Sequence, residues 1–301
     1  MAKESLQLNF KHVPTDNSLS DLEKEQKIID RAPFVKFKIR DAKILDSIQG
    51  REICDKCYKS RKFFCYSCCT PVIDERYIPR VKLPIKIDII KHPREIDGKS
   101  TAIHAALIAP EDVRIYTYPE FPEILVDDKV VLIFPSKTAC SIEDLFTRKV
   151  DHGGHSKEQK IRNEFPITRA IFIDSTWHQT KSIYKDPRLR ELDCVVLKSR
   201  ISQFWRHQKS SPRWYLATIE AIHQFLVELH TNAFGALENY SAEPLEAVEA
   251  ENPTDDIADS FLTHKYSGQY DNLLYFFKYM YEKIHSIYDH DKLWAYKRPL
   301  I

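Results

Sequence analysis

The sequence predicts an α/β fold built on a parallel sheet, on three observations. Short apolar runs closed by polar turns alternate with helix-like stretches, as at Val130–Phe134, Ala170–Ile173 and Cys194–Leu197. Runs that are apolar on both faces suit strands buried between helices. Only six glycines stand among 301 residues, which argues against a scaffold of tight β-turns. With 43% hydrophobic and 12% aromatic residues the chain can bury a large core, as one large domain or two ordinary ones.

In chain order, residues 1–49 are mixed in charge, with one amphipathic pattern around Leu19–Ile29, and read as a flexible or loosely docked extension. Met1–Pro14 has no apolar h-region and no stretch is long and apolar enough to span a bilayer, so a soluble intracellular protein is expected. Residues 50–75 hold Cys54-Asp-Lys-Cys57 and, seven residues on, Cys65-Tyr-Ser-Cys68. Two C-x-x-C pairs at this spacing form knuckles able to present four thiolates tetrahedrally, which suits a structural Zn²⁺. A disulfide pair is the rival, disfavoured in an intracellular chain. Cys69 stands beside Cys68, and spacing alone leaves either as the fourth ligand.

Residues 76–301 form the larger domain. Val81–Ile90 alternates apolar and polar residues as a half-buried strand does, and runs into the polar loop Lys91–Ala102 ahead of a helix-like Ile103–Ile108. Val130–Phe134 is a buried strand closed by Pro135-Ser136, with a helix near Ile142–Phe146; Lys149–Arg169 reads as a polar loop. Ala170–Ile173 is a buried strand that stops at Asp174. Asp174 or Ser175 can cap the helix that follows, which should run to about Arg190. Cys194–Leu197 is the next buried strand, Leu216–Leu229 a core helix, and Gly268 opens a final amphipathic helix with Asp271 in its first turn.

The net charge of +1 hides an asymmetry. The segment 236–262 holds eight acids and no Lys or Arg; without those eight the rest of the chain carries +9. A basic body with an acidic insert suits a nucleic-acid partner. Arg206, His207, Lys209 and Arg213, interleaved with Trp205, are the candidate RNA-facing set, because cations grip the backbone while rings stack on bases.

Asp174-Ser175-Thr176-Trp177 resembles the D-x-T-W signature of DTW-domain proteins, the tRNA-uridine aminocarboxypropyltransferases. The double C-x-x-C, His92-Pro93, Phe134–Ser136 and the run Phe204–Gln208 leading to Thr218–Ala221 match that family's blocks in order, over roughly Cys54–Ile287. Lys86–Ala105 and Gly268–Leu274 look closest to the eukaryotic type 1 branch, associated with the tRNA D-loop. The resemblance implies a SPOUT-like (TDD superfamily) parallel sheet with a C-terminal trefoil knot around S-adenosylmethionine. It implies transfer of the 3-amino-3-carboxypropyl group of that cofactor to N3 of a tRNA uridine, leaving methylthioadenosine, with the nucleus as the expected site of work and the cytoplasm as the alternative.

On this reading Asp174 is the catalytic candidate, and Phe134, Pro135, Ser136, Asp174, Trp177, Lys198, Ser199 and Arg200 line the cofactor pocket. Cys54, Cys57, Cys65 and Cys68 hold zinc, and tRNA is the partner. The chain departs from the family in carrying Ser100-Thr101-Ala102 where bacterial relatives have a Thr-Asn-Thr-type block, and in its acidic insert. Two other classes use some of the same features: a SPOUT-type RNA methyltransferase, and a non-catalytic zinc-and-RNA binding module.

Overall fold

A computed structural model describes residues 24, 26–152, 155–208, 211–238, 240 and 264–297, without the side chains of 148–152, 155–159 and 178. Lys209 and most of the acidic insert lie outside the described residues.

Two hairpins form the cysteine module. Strand β1 (Glu52–Ile53) pairs with β2 (Ser60–Arg61), and β3 (Phe64–Cys65) with β4 (Thr70–Pro71), both antiparallel. The main sheet then takes β5 (Lys86–Lys91), β6 (Val113–Thr117), β7 (Val130–Ile133) and β8 (Cys140–Ser141). A separate antiparallel hairpin, β9 (Thr147–His152) and β10 (His155–Lys160), precedes β11 (Arg169–Asp174) and β12 (Asp193–Val196). The spatial order is β6-β5-β11-β7-β12-β8, with every neighbouring pair parallel.

The helices are α1 (Ile44–Ser47), α2 (Ala102–Ile108), α3 (Ile142–Leu145), α4 (Trp177–Ile183), α5 (Pro187–Arg190), α6 (Thr218–Phe234) and α7 (Tyr275–Ile287). They cover both faces of the sheet. Ile87, Ile89, Val131, Ala170, Phe172 and Val195 share one core with buried residues of α2, α6 and α7. Ile90, Leu132, Ile171 and Cys194, of opposite parity along the same strands, pack with Ile183 of α4 and Leu189 of α5. Alternation of side chains across a strand therefore gives each strand two apolar faces, which is why these runs read as continuous in sequence.

Four elements differ from the sequence reading. The strand expected half-buried at Val81–Ile90 begins at Lys86 and is central, with Ile87, Ile89 and Ile90 fully buried. Its one inward acid, Asp88, is neutralised by Arg169 at 2.6 Å. The helix after Asp174 stops at Ile183, because Pro187 starts a new one, capped by Asp186, whose carboxylate accepts from Arg188 N–H. The first part of the polar segment expected as a loop at 149–169 folds, as far as Lys160, into β9–β10, whose charged pattern has no apolar stripe to betray it. The final helix begins at Tyr275 rather than near Gly268, after a 3-10 turn (Asp271–Leu274) that does hold Asp271 at its start; that acid is a buried hub, accepting from Lys38 N–H and Tyr266 Oη, each at 2.7 Å, and bonded to His223 at 2.9 Å.

The N-terminal stretch is built in where it is described. Phe34, Ile39 and Leu45 join the main core, and Arg40 N–H donates to Asn272 Oδ1 at 2.8 Å. Asp30, 1% exposed, forms a two-pronged ion pair with Arg213 of the basic loop, both contacts at 2.7 Å. Residues 26–49 are thus docked rather than loose.

Candidate active site and metal centre

Because β5, β11, β7 and β12 are successive parallel neighbours, the turns after Lys91, Asp174, Ile133 and Val196 open along one edge of the sheet. Open α/β sheets bind ligands there. Asp174 ends β11 and lies 4% exposed. Its Oδ1 accepts from Thr218 Oγ1 at 2.5 Å and its Oδ2 from Ser100 Oγ at 2.6 Å, while its backbone carbonyl accepts from His92 N–H at 3.0 Å. Burial pushes the Asp174 carboxyl above its ordinary range, against the two hydroxyls and the charge of Lys91, which favour the ionised form. The result is a desolvated carboxylate held in one orientation by two hydroxyl donors.

The cap of α4 falls to neither residue named for it. Thr176 occupies the N-cap, with its N–H donated to Gln179 Oε1 at 3.0 Å, while Ser175 Oγ shares a hydrogen bond with Thr180 Oγ1 at 2.7 Å. Asp174 is thereby left out of the helix and turned into the fold, towards Ser100 and Thr218. Trp177 is half-buried, its ring 4.5 Å from that of Tyr215.

The other turns differ in what they expose. Phe134 is buried and stacked on Tyr184 at 4.1 Å, so it supports its turn from below, while Pro135 and Ser136 are half-buried at the rim. Lys198 is pinned three ways: its N–H donates to Glu228 Oε1 at 3.2 Å, its carbonyl accepts from Gln224 Nε2 at 2.6 Å, and its Nζ pairs with Glu143 at 2.8 Å. Ser199 is exposed, and the Arg200 guanidinium lies 5.3 Å above the ring of Phe37.

The RNA-facing candidates separate. Arg206 and His207 are exposed, and Arg206 Nη2 donates to the Gly98 carbonyl at 3.2 Å, bridging to the loop before α2. Trp205 is half-buried, 5.1 Å from Phe277. Arg213 does not reach a surface: at 2% exposure its guanidinium is committed to Asp30, a pairing that sequence could not reveal across 183 positions. Lys209 lies outside the described residues. Glu220, an acid set among the apolar positions of α6, is buried and accepts from Ser202 Oγ at 2.6 Å, Gln203 N–H at 2.7 Å and Ala217 N–H at 2.9 Å. It folds the basic loop back onto the start of α6.

Sequence reasoning did not single out Ser100 or Thr218 as partners of Asp174. Each lay within a block already noted, the polar loop before α2 and the start of α6, but nothing in the spacing showed that the two converge on one carboxylate.

Among the described residues, Cys54, Cys57, Cys65 and Cys68 gather their sulfur atoms within 4.8 Å of one another. A tetrahedral zinc with bonds near 2.3 Å needs sulfur atoms roughly 3.8 Å apart, so this donor set fits the ion. Cys69 is not in the cluster; its backbone turns away through a left-handed conformation at φ 53°. Burial pushes the Cys65 thiol up, but the N–H groups of Cys68 and Ser67, with Cys57 and Arg61, hold it at about 6. Cys68 is pushed up to about 12 by Cys57 and by burial. One thiol of the four therefore ionises ahead of another, as crowded sulfurs do.

An α/β sheet with a buried acid at its carboxyl edge, joined to a knuckle of four cysteines, defines the class of protein. The DTW domain model matches residues 62–285, a span that includes Asp174 and its two hydroxyl donors, and the chain belongs to the DTW-domain family. Its curated relatives include tRNA-uridine aminocarboxypropyltransferase 1 of Mus musculus, 43% identical over 263 residues, which cover 78% of this chain and 77% of the relative. The enzyme of the same name from Xenopus tropicalis is 39% identical over 280 residues, covering 83% and 85%. That of Homo sapiens is 39% identical over 287 residues, covering 85% of each. No solved structure matches the chain.

Proposed function

We propose that this chain is a tRNA-uridine aminocarboxypropyltransferase, using S-adenosylmethionine to place a 3-amino-3-carboxypropyl group on N3 of a uridine in the tRNA D-loop. The observation that carries the mechanism is Asp174, buried at the carboxyl edge and fixed between Ser100 and Thr218. When bound, S-adenosylmethionine would supply a carbon already activated by its sulfonium, with methylthioadenosine as the leaving group once N3 has attacked. What the protein must add is alignment and a sink for the N3 proton.

Asp174 is that sink on this reading. Its raised proton affinity makes it a better acceptor than an ordinary carboxylate, and Ser100 Oγ, already donating to it, can relay the proton from the acceptor side. The edge suits the cofactor's mixed chemistry: it sets an acid, the cations of Lys198 and Arg200, the hydroxyls of Ser136 and Ser199 and the ring of Trp177 along adjoining turns. Zn²⁺ on Cys54, Cys57, Cys65 and Cys68 is the structural ion that would tie the two hairpins together. A SPOUT-like architecture with its knot, and work in the nucleus, are parts of the same proposal.

The test is to incubate the protein with tRNA and cofactor labelled in either the carboxyl carbon or the methyl carbon. Carboxyl label in RNA supports the transferase. Methyl label in RNA, or no label, overturns it.

A further inference from the structure

A cleft of about 270 Å³ lies beside the acid, walled by the cysteine hairpins, the loop before α2, the Phe204–Arg206 turn and α7. We propose that it seats one nucleotide of single-stranded RNA next to the reacting uridine. The proposal rests on the reading of the chain as an RNA-modifying enzyme and gives that reading a substrate subsite, made jointly by the cysteine module and the catalytic domain.

Charge is the first argument. Arg51, Arg61, Lys62, Lys99 and Arg206 all line the cleft. Asp97 is the one acid among its described lining residues, and it is already bonded to Lys91 and to Ser67 Oγ. A net positive cleft favours a phosphodiester. Rings are the second: Phe64, Tyr66 and Trp205 enter from opposite walls, and the Arg61 guanidinium lies 4.0 Å over the ring of Tyr66. Aromatic faces and guanidinium planes are what unstacked bases lie against.

Unsatisfied polar atoms are the third argument. Arg61 Nε and His104 Nδ1 are buried without a hydrogen-bond partner, on side chains 7% and 5% exposed that both line the cleft. Buried orphans of this kind cost stability unless a ligand satisfies them, and a base edge offers both donors and acceptors. Size is the fourth. A cleft of about 270 Å³, near the lower end of the roughly 300–1,000 Å³ of small-ligand sites, has room for a single base with its phosphate.

Position links the cleft to the chemistry. Ser100 lines it and donates to Asp174 Oδ2 at 2.6 Å, so an occupant would sit one side chain away from the acid. Arg206 spans the mouth through its bond to Gly98.

The experiment uses the full chain and a short single-stranded RNA carrying one 4-thiouridine. Ultraviolet cross-linking followed by peptide mapping should place adducts on Tyr66, Trp205 or their neighbours across the cleft. In parallel, the double variant Lys62→Ala, Arg206→Ala should bind the same RNA roughly tenfold more weakly, with a salt dependence shallower by about 1.4 in logarithmic slope for two lost contacts. Its affinity for S-adenosylmethionine, measured by calorimetry without RNA, should be unchanged. Adducts mapping only elsewhere, or unaltered affinity and slope, would overturn the subsite. Lost cofactor affinity with intact RNA binding would assign the cleft to the cofactor and overturn it too. If wild-type transfer of carboxyl label persists in either case, the transferase reading survives the failure of this one.

Discussion

Replacing Asp30 with alanine tests whether the N-terminal stretch is an integral support of the basic loop. Asp30 and Arg213 are 1% and 3% exposed at their side chains and meet through two contacts of 2.7 Å, and Gln203 Nε2 donates to the same carboxylate at 3.1 Å. Removing the acid strands a buried guanidinium, a change that typically costs about 3–5 kcal/mol. Against a total stability of roughly 5–15 kcal/mol this is a large fraction. Urea unfolding of the full chain, followed by tryptophan fluorescence and circular dichroism, should show a lower midpoint with little change in slope. Arg213→Met, which keeps bulk but leaves the buried Asp30 carboxylate with only the Gln26 and Gln203 amides as donors, should cost a comparable amount. The double variant Asp30→Ala, Arg213→Met should be less destabilised than the two single losses added together, with a coupling of about 2 kcal/mol or more. A loss below about 1 kcal/mol in Asp30→Ala, the range of exposed pairs, would refute the picture of a desolvated pair. So would strict additivity.

The other predictions concern the site and the metal. Asp174→Asn should lower the maximal rate of transfer by roughly 10²- to 10⁴-fold while cofactor and tRNA affinities hold, since on the proposed mechanism it removes the proton acceptor; full turnover would show that Asp174 only shapes the turn. Because burial raises the Asp174 carboxyl, the folded state holds its proton more tightly than the unfolded one, and stability contributed at that group falls as pH climbs from 3.8 through the higher folded value. Asp174→Asn should therefore unfold at the same or higher urea than wild type at neutral pH, and the acid limb of the wild-type rate profile, set by ionising Asp174, should lie above the ordinary carboxylate range. Cys68→Ser should lose bound zinc in metal analysis while Cys69→Ser retains it; the reverse would mean that Cys69 supplies the fourth sulfur. Glu220→Ala should leave three buried donors unsatisfied and lower the unfolding midpoint, at about 1–3 kcal/mol for each donor that finds no water.

Much of the sheet was legible because its central strands are buried on both sides. At Val130–Ile133, Ala170–Ile173 and Cys194–Val196 the apolar runs needed no partner to be recognised, and each stops at the turn that the structure places on the carboxyl edge. The edge strand Val113–Thr117 gave no comparable signal, since Val113 alone of its residues is buried. The β9–β10 hairpin gave none either, being polar almost throughout.

Local order along the chain sets the chemistry on offer: four cysteines at metal spacing, an acid ending a buried strand, and a loop of cations and rings. A C-x-x-C knuckle and a strand–turn–helix are each closed within a few residues, so each can be read without knowing the fold. Which of these groups are free to act is a matter of packing. Arg213 left the RNA-facing set because Asp30 reaches it from the far end of the chain, and Glu220 became a loop anchor once three donors converged on it. Asp174 acquired its two hydroxyls from Ser100 and Thr218, 74 positions before and 44 after it. A hydrogen bond depends on distance in space, and the parallel sheet with its crossover helices is what turns those sequence separations into contacts of 2.5 and 2.6 Å.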